Sequence, residues 1–163
     1  MELYLAEAIK RVKMLNDDIT YLLNEEDHYS VIDYREESEK IQSNYDYATT
    51  RRRVNEINNE ILKIKTAINK ANNETKIGVE DYTISDGLIK IAMIRNELTY
   101  HLEPMARKEK LTSKVDMRND GIIYTETLYD PEVCKEYVKS QKELLGRIQM
   151  GIDRANLTTV ISV

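Results

Sequence analysis

The sequence is poor in the residues that interrupt helices. It contains two prolines and five glycines among 163 residues, while 33% of its residues are charged. A composition with so few turn-forming residues excludes a β protein with many turns and is typical of long amphipathic helices. The length suits one domain of ordinary size, so we predict a single domain spanning residues 1–163.

Residues that carry chemistry are also scarce. The single cysteine, Cys134, excludes an internal disulfide and a zinc site built from cysteines. His28 and His101 lack the spacing of a metal-binding pair, and no Gly-rich phosphate loop or nucleophile motif is present. We therefore expect no catalytic residue, no cofactor, no metal and no small-molecule substrate, and we predict that the chain is not an enzyme.

Positive charge and long apolar runs are missing as well. The net charge of −5 argues against nucleic-acid binding, which usually needs a basic surface. The chain starts with an amphipathic pattern and shows no signal peptide. No apolar run approaches the ~20 residues that span a bilayer. We expect a cytoplasmic protein without stable membrane insertion.

Apolar residues recur at alternating spacings of three and four, which predicts helices with coiled-coil-like seams. The first helix should cover residues 3–23 and be followed by a loop to residue 33, with a possible short strand at 29–32. The second should begin near Asp33 and end near Ala71, where Asn72 and Asn73 can adopt the left-handed conformation that closes a helix. The two seams are Leu5, Ala8, Val12, Leu15, Ile19 and Leu22, and then Tyr47, Thr50, Val54, Ile57, Ile61, Ile64, Ile68 and Ala71.

Two further helices are predicted in the second half of the chain. Ser85, or alternatively Thr83, is the expected N-cap of the third helix, Arg95 interrupts its apolar stripe, and Pro104 should kink or end it. The Asp-Pro pair at residues 130–131 opens the fourth helix. The two seams are Leu88, Ile91, Leu98, Leu102 and Met105, and then Val138, Gln141, Leu145, Ile148, Ile152 and Ala155.

Between these helices the apolar period changes to two, which predicts one β-hairpin near residues 113–127. The turn at Asn119, Asp120 and Gly121 suits the positive backbone angles that a hairpin turn requires. A two-stranded sheet alone is marginal in water. The hairpin must therefore pack on helices or on another subunit.

A short motif occurs twice and indicates a tandem duplication. Residues 68–75 and 152–159 both read Ile-(Asn/Asp)-(Lys/Arg)-Ala-Asn-x-x-Thr, and the second and fourth seams are related by the same offset of 84. We infer pseudo-repeats 1–78 and 83–163, each a long helical hairpin, with the β-hairpin inserted in the second. The two hairpins can pack within one chain as a four-helix bundle or between chains as a coiled-coil-like oligomer. The long, narrow seams favour a homo-oligomer.

The polar residues shared by the two motifs are our structural or interaction candidates. Asn72, Thr75, Asn156 and Thr159 either form a recognition surface where helix ends meet or cap those helices, and we favour capping. Arg95 is the fifth candidate, because a charge within an apolar stripe must reach water or meet a carboxylate.

Four short segments carry a family resemblance: Leu5-Ala6-Glu7-Ala8-Ile9, residues 68–75, Thr83-Ile84-Ser85-Asp86, and residues 152–159. In these segments the chain resembles the septicolysin-like family of uncharacterised bacterial helical proteins. Leu157 stands where the family has tryptophan, and Arg95-Asn96 is the nearest match to its Arg-Asp pair. The resemblance implies a mainly helical, oligomeric protein.

Taken together, these patterns favour a non-enzymatic, self-assembling coiled-coil protein that acts as an oligomeric interaction or scaffold protein. Two alternatives stay open. A helix–β-hairpin–helix order over residues 84–156 is also typical of a prefoldin-like holdase. A membrane-active septicolysin-like protein would instead rearrange its amphipathic helices to expose their apolar stripes.

Overall fold

Helices dominate the computed structural model, which describes all of residues 1–163, and two small antiparallel sheets accompany them. This confirms the predicted mainly α class. None of the helices combines the length and the apolar character needed to cross a membrane. The elements are β1 (Glu2–Tyr4), α1 (Leu5–Tyr29), α2 (Tyr47–Glu74), α3 (Ile84–Glu97), α4 (Glu103–Ala106), β2 (Leu111–Asp116), β3 (Gly121–Glu126), α5 (Pro131–Thr158) and β4 (Val160–Ser162).

The chain divides into two units. The first consists of residues 1–75 and 156–163, and the second of residues 76–155. The first unit thus contains β1, α1, α2 and the end of the chain with β4. The second contains α3, α4, the β2–β3 pair and most of α5.

In the first unit, α1 and α2 pack along their apolar seams. Arg11 pairs with Glu60 at 2.8 Å, and Arg51 pairs with Glu26. Arg11, near the start of α1, pairs with the middle of α2, whereas Glu26, near the end of α1, pairs with the start of α2. The two helices therefore run in opposite directions. Tyr47, predicted in the seam, is exposed. The buried seam residues are Leu5, Ala8, Leu15, Val54, Ile57, Ile61, Ile64 and Ala71.

The connection between α1 and α2 differs from the prediction at its first boundary. α1 continues through residues 24–28 to Tyr29, so the predicted loop over 24–28 and the predicted strand at 29–32 were wrong. Residues 24–28 contain neither proline nor glycine, and they can continue a helix. Glu26 within them is held by Arg51 of α2, which fixes this last part of the helix against its neighbour.

The start of α2 lies well beyond the predicted position at Asp33. Asp46 is the N-cap instead: its carboxylate accepts hydrogen bonds from the Ala48 N–H at 3.1 Å and from the Thr49 hydroxyl. Residues 30–46 contain only a short 3₁₀ turn at Glu37–Glu39. Both aspartates have the chemistry of a cap, and only Asp46 directly precedes the periodic apolar pattern.

The end of α2 was also predicted too early. Asn72 and Asn73 remain helical, and the positive φ angles of the chain lie at Gly78, Glu80 and Asp120. The Thr75 N–H donates to the Ala71 carbonyl at 2.8 Å, which extends the helical hydrogen-bond pattern to residue 75. The left-handed closure predicted at the two asparagines was therefore wrong.

The ends of the chain form a small sheet that the sequence did not predict. β1 and β4 pair antiparallel with Leu3 opposite Ile161, and Ile161 is buried. The Leu5 N–H, at the start of α1, donates to the Thr159 carbonyl at 2.9 Å. Strand pairing thus fixes the last residues of the chain beside α1, and the Thr159 carbonyl satisfies an otherwise free N–H of the first turn of that helix.

In the second unit, the N-cap of α3 is Thr83, which the sequence offered as the alternative to Ser85. The Asp86 N–H donates to the Thr83 hydroxyl at 3.1 Å, and the Thr83 N–H donates to the Asp86 carboxylate at 2.9 Å, which completes a capping box. The predicted seam was right at Ile91 and Leu98, which are buried, and wrong at Leu88, which is exposed; Arg95 also lies on the exposed side. The buried residues of the helical run are Ile84, Gly87, Ile91, Ile94, Leu98 and Ala106.

Pro104 has the expected local effect. α3 gives way at Leu98–Leu102 to a π-helical turn, and α4 ends at Ala106. Proline has no N–H for the carbonyl four residues earlier and its ring crowds that carbonyl, so a regular α-helix cannot continue through this position.

α5 begins as predicted. The Asp130 carboxylate accepts from the Glu132 N–H at 2.9 Å, and Pro131 occupies the first helical position. Within the second unit α5 packs against the α3–α4 segment: Lys142 pairs with Glu103 at 2.6 Å. Its buried residues are Pro131, Val138, Ile148, Gly151, Ile152 and Ala155.

Two glycines allow close packing in this unit. A Cβ at Gly151 would lie 2.6 Å from the carbonyl oxygen of Ile77, so the backbone after α2 lies directly on α5. A Cβ at Gly87 would lie 3.0–3.2 Å from methyl groups of Ile77, Ile148 and Ile152. The absence of a side chain at both positions brings α3, α5 and Ile77 together.

Candidate functional site

The β2–β3 hairpin is the strongest candidate for an interaction site. The predicted hairpin is present, with Leu111 opposite Glu126 and Asp116 opposite Gly121. Because side chains alternate between the two faces of a strand, one face carries most of the apolar side chains and the other is polar apart from Ile123. The apolar face, as we call it below, consists of Leu111, Val115, Ile122 and Tyr124.

The turn of the hairpin is fixed by one aspartate. The Asp116 carboxylate accepts hydrogen bonds from the Arg118 N–H and from the Asn119 side-chain amide, both at 3.0 Å. Asp120 takes the positive φ of 53° that the sequence had placed in this turn. The register of the hairpin is therefore set locally.

The base of the hairpin is anchored to the helices. The Thr127 N–H donates to the Lys110 carbonyl at 3.0 Å, and the Lys110 ammonium donates to the Thr127 carbonyl at 2.7 Å. The Tyr129 hydroxyl donates to the Met105 carbonyl at 2.8 Å. These bonds fix the base of the hairpin, where β2 starts and β3 ends.

Exposure of the apolar face is the unusual feature of the hairpin. Every residue of β3 is exposed, and so is every residue of β2 except Asp116. The four side chains of the apolar face are between 56% and 70% exposed. A two-stranded sheet with an uncovered apolar face needs a further surface to pack on.

A cavity of about 720 Å³ lies in the first unit, between the end of α1, the 30–46 connection and the start of α2. The two carboxylate oxygens of Glu26 beside it are both engaged, one by the Tyr45 hydroxyl and the other by the Arg51 guanidinium. The Arg51 guanidinium also lies 5.6 Å from the centre of the Tyr47 ring. The Ser43 hydroxyl donates to the Tyr29 carbonyl at 2.9 Å. These contacts hold the connection against the helices.

Two groups near this cavity have shifted pKa values. Desolvation, assisted by the negative charges of Tyr47 and Asp46, raises the pKa of the Tyr45 phenol above its usual range. The Thr49 hydroxyl, with the backbone N–H groups of the first turn of α2, lowers the pKa of Asp46. Near neutral pH, Tyr45 therefore stays neutral and can donate its hydroxyl hydrogen to Glu26, while Asp46 stays ionised and can cap α2.

The four polar residues of the repeated motif all belong to the first unit. Thr75 ends α2 through its backbone N–H, and Thr159 accepts from Leu5 through its backbone carbonyl. Asn72 and Asn156 lie inside their helices and are partly buried, and no hydrogen bond joins the two pairs. The structure thus shows main-chain roles at both threonines, and a role of these residues in recognition stays a prediction.

The remaining residues singled out in the sequence lie apart. Arg95 is exposed in the last turn of α3 and belongs to the second unit. His28 and His101 are exposed, and the Cys134 thiol donates to the Leu102 carbonyl at 3.5 Å. No group of three or more His, Cys, Asp or Glu side chains is arranged to hold a metal ion.

Asn72 allows a direct test of the capping hypothesis. Its side-chain oxygen is buried without a hydrogen-bond partner. We expect Asn72→Ala to raise the free energy of unfolding by about 1 kcal/mol, because it removes an unsatisfied polar atom and places a better helix former in α2. Asn58→Ala, on the exposed side of the same helix, is the matched control and should gain only a few tenths of a kcal/mol, about the difference in helix propensity. Urea unfolding measures both, and a destabilised Asn72→Ala protein would instead support a cap or another bound partner at this position.

Comparisons with known proteins define the fold but no activity. No protein-family model matches the chain, and a search of curated proteins found no relative. Among solved structures, the chain is similar to a functionally unknown conserved protein from Corynebacterium diphtheriae, with a TM-score of 0.67 and 18% identity. The match covers 99% of this chain and 100% of that one. At this identity, the likeness shows that the two proteins share a fold.

Proposed function

We propose that this protein is a non-enzymatic, self-assembling helical protein that acts in the cytoplasm as an oligomeric interaction or scaffold protein. In this proposal residues 1–78 and 83–163 are duplicated helical hairpins, which accounts for the motif repeated at the ends of their helices. The chain is related to the septicolysin-like family. The exposed apolar face of the β-hairpin carries the proposal. The protein assembles by covering that face.

The size of the apolar face supports this function. A large apolar side chain has on the order of 150–200 Å² of surface, so four side chains that are 56–70% exposed present roughly 400–500 Å² to water. Patches of about 300–600 Å² are the largest on typical monomers and are often functional. Met117 and Leu128, just outside the two ends of the hairpin strands, are also highly exposed, at 94% and 99%.

The kind of partner follows from the chemistry of the face. An apolar, nearly uncharged surface favours another apolar protein surface, and the net charge of −5 disfavours nucleic acid. A second copy of the same chain always supplies a matching apolar surface. Self-assembly is therefore the simplest way to cover the hairpin.

A holdase is the second candidate, because the same exposed hairpin would suit the apolar segments of unfolded clients. Such a protein should suppress the aggregation of a thermally unfolded client at stoichiometric ratio. Failure to suppress aggregation, together with a stable oligomer of fixed size, would leave self-assembly as the function of the face.

The molar mass in solution tests the proposal. We expect the wild-type protein to sediment as an oligomer at micromolar concentration. The double variant Val115→Thr/Ile122→Thr should shift toward smaller species, because it makes the apolar face polar while keeping β-branched side chains. Ile123→Thr makes the same kind of change on the opposite face and should leave the oligomer intact. A wild-type protein that remains monomeric at these concentrations would overturn the proposal.

A further inference from the structure

We propose that β3 pairs antiparallel with β3 of a second copy and joins two hairpins into one four-stranded sheet, in the order β2-β3-β3-β2. This inference rests on the proposed self-assembly and adds a contact at the hairpin edge, which joins the apolar faces of two copies into the single face that self-assembly covers. The joined sheet would have four strands and one continuous apolar face. Sheets of three or more strands with an apolar face are stable where an isolated hairpin is marginal.

The two free edges of the hairpin differ in their chemistry. β2 carries Lys114 and Asp116, and charged side chains, lysine above all, are a common protection of edge strands. β3 reads Gly-Ile-Ile-Tyr-Thr-Glu and has one charge, Glu126, at its end. Its β-branched and aromatic side chains favour strand pairing. β3 is thus the unprotected edge.

The register of the hairpin shows which backbone groups of β3 are free. Just beyond the strands, Thr127 donates its N–H to the Lys110 carbonyl, and this pair follows the register of Leu111 with Glu126. Hydrogen-bonded and non-hydrogen-bonded pairs alternate along an antiparallel ladder. Thr125, Ile123 and Gly121 therefore bond to β2. The N–H and C=O groups of Ile122, Tyr124 and Glu126 point away from it.

One arrangement of two copies uses all of these free groups. With the two-fold axis at Tyr124, each Tyr124 lies opposite Tyr124 of the second copy, and each Ile122 lies opposite its Glu126. The three outward-facing residues of one copy then bond to the three of the other, and no like charges face each other. An axis at Ile123 would place Glu126 opposite Asp120, which is unfavourable because like charges repel. An axis at Thr125 would leave Ile122 opposite Leu128, beyond the strand.

This pairing also closes the assembly. A two-fold contact uses the same strand in both copies, so both unprotected edges are consumed at once. The outer edges of the four-stranded sheet are then the two β2 strands, with their Lys114 and Asp116 side chains. Strand pairing therefore stops at two copies and does not extend into a fibre of strands.

Disulfide cross-linking between two single-cysteine substitutions tests the register. With the axis at Tyr124, position 123 of one copy lies opposite position 125 of the other in a non-hydrogen-bonded pair, about 4.5 Å apart between Cα atoms. This separation is within the range of a disulfide. We expect a mixture of Ile123→Cys and Thr125→Cys chains to form a mixed disulfide dimer on mild oxidation, and each variant alone to form little. Wild-type protein, which keeps Cys134, is the control for unrelated disulfides.

The outcomes separate this inference from the proposed function. A wild-type oligomer with no cross-link in the mixture would overturn the β3 pairing and leave self-assembly standing. Efficient cross-linking of Ile123→Cys with itself would place the axis at Ile123 and overturn the stated register. A wild-type monomer would overturn the proposed function itself.

A matched pair of charge substitutions distinguishes the two edges. Tyr124→Lys would place two lysines opposite each other at the axis, so the dissociation constant should rise at least about tenfold. Thr112→Lys is the control on the other edge, because residue 112 lies in β2 opposite Thr125, on the polar face of the hairpin. It should leave the dissociation constant unchanged within about twofold, with the helical circular dichroism of both variants intact. Equal weakening by the two substitutions would contradict pairing through β3.

Discussion

Replacing Gly151 by alanine should lower the free energy of unfolding by about 1–3 kcal/mol, because the new methyl group has no room. Its Cβ would lie 2.6 Å from the carbonyl oxygen of Ile77 and 3.1 Å from the Ile77 Cβ. A flexible side chain could move aside, but a backbone carbonyl can move only with the segment that carries it. The Ile77 N–H is itself bonded to the Tyr82 carbonyl at 3.0 Å, so that segment is held in place.

Gly146 is the matched control for this prediction, since it lies in the same helix and its Cβ would meet no atom within 4 Å. Gly146→Ala should raise the free energy of unfolding by about 0.5–1 kcal/mol, the usual gain when alanine replaces glycine inside a helix. Chemical denaturation of both variants gives the comparison directly. Equal stabilisation by the two substitutions would mean that Ile77 does not lie against α5 in solution.

These two glycines illustrate what the sequence could and could not predict. From the sequence alone, a glycine inside a helix can be either a weak point of that helix or a place where another backbone comes close. The structure assigns the close approach to Gly151 and open space to Gly146. The difference depends on Ile77, which is distant in sequence from both glycines, so no local pattern could have revealed it.

The seam of the third helix was predicted wrongly at Leu88 for a related reason, although Ile91 and Leu98 are buried as predicted. Between Ile84 and Ile94 the sequence is apolar on most sides, so several seams fit it equally well. The contact of Gly87 with Ile148 and Ile152 selects the buried side. α2 and α5 have charged residues between their apolar positions, and their buried faces were therefore predicted largely correctly.

The helix boundaries and the terminal sheet depended on contacts between distant residues. Asp33 and Asp46 are equally good N-caps by type, and the chain uses the second. β1 and β4 are three residues each and pair across nearly the whole sequence, which leaves no local signal. The β-hairpin, by contrast, is set by its own alternation and turn, so its presence could be predicted from the sequence.

The site residues chosen from the sequence differ from the face that the structure exposes. Sequence reasoning selected polar residues because they repeat, and the structure gives Thr75 and Thr159 main-chain contacts at the ends of helices. The apolar face of the hairpin received less weight, since exposure cannot be read from alternation alone. A strand with one apolar face looks the same in sequence whether that face is covered within the chain or left open.

The duplication can be tested at its most buried pair. Ile64 and Ile148 are related by the offset of 84, and both are 0% exposed, the first in the first unit and the second in the second unit. We expect Ile64→Ala and Ile148→Ala each to lower the free energy of unfolding by about 2–5 kcal/mol, because each leaves a cavity in a closely packed seam. Leu62→Ala and Met150→Ala, at positions that are 65% and 67% exposed, should each cost less than about 0.5 kcal/mol. Urea unfolding followed by circular dichroism measures all four variants. Similar losses of unfolding free energy at the two isoleucines would support equivalent roles in a repeated helix. A large loss at one isoleucine and little loss at the other would mean that the shared spacing reflects only the heptad pattern common to long helices.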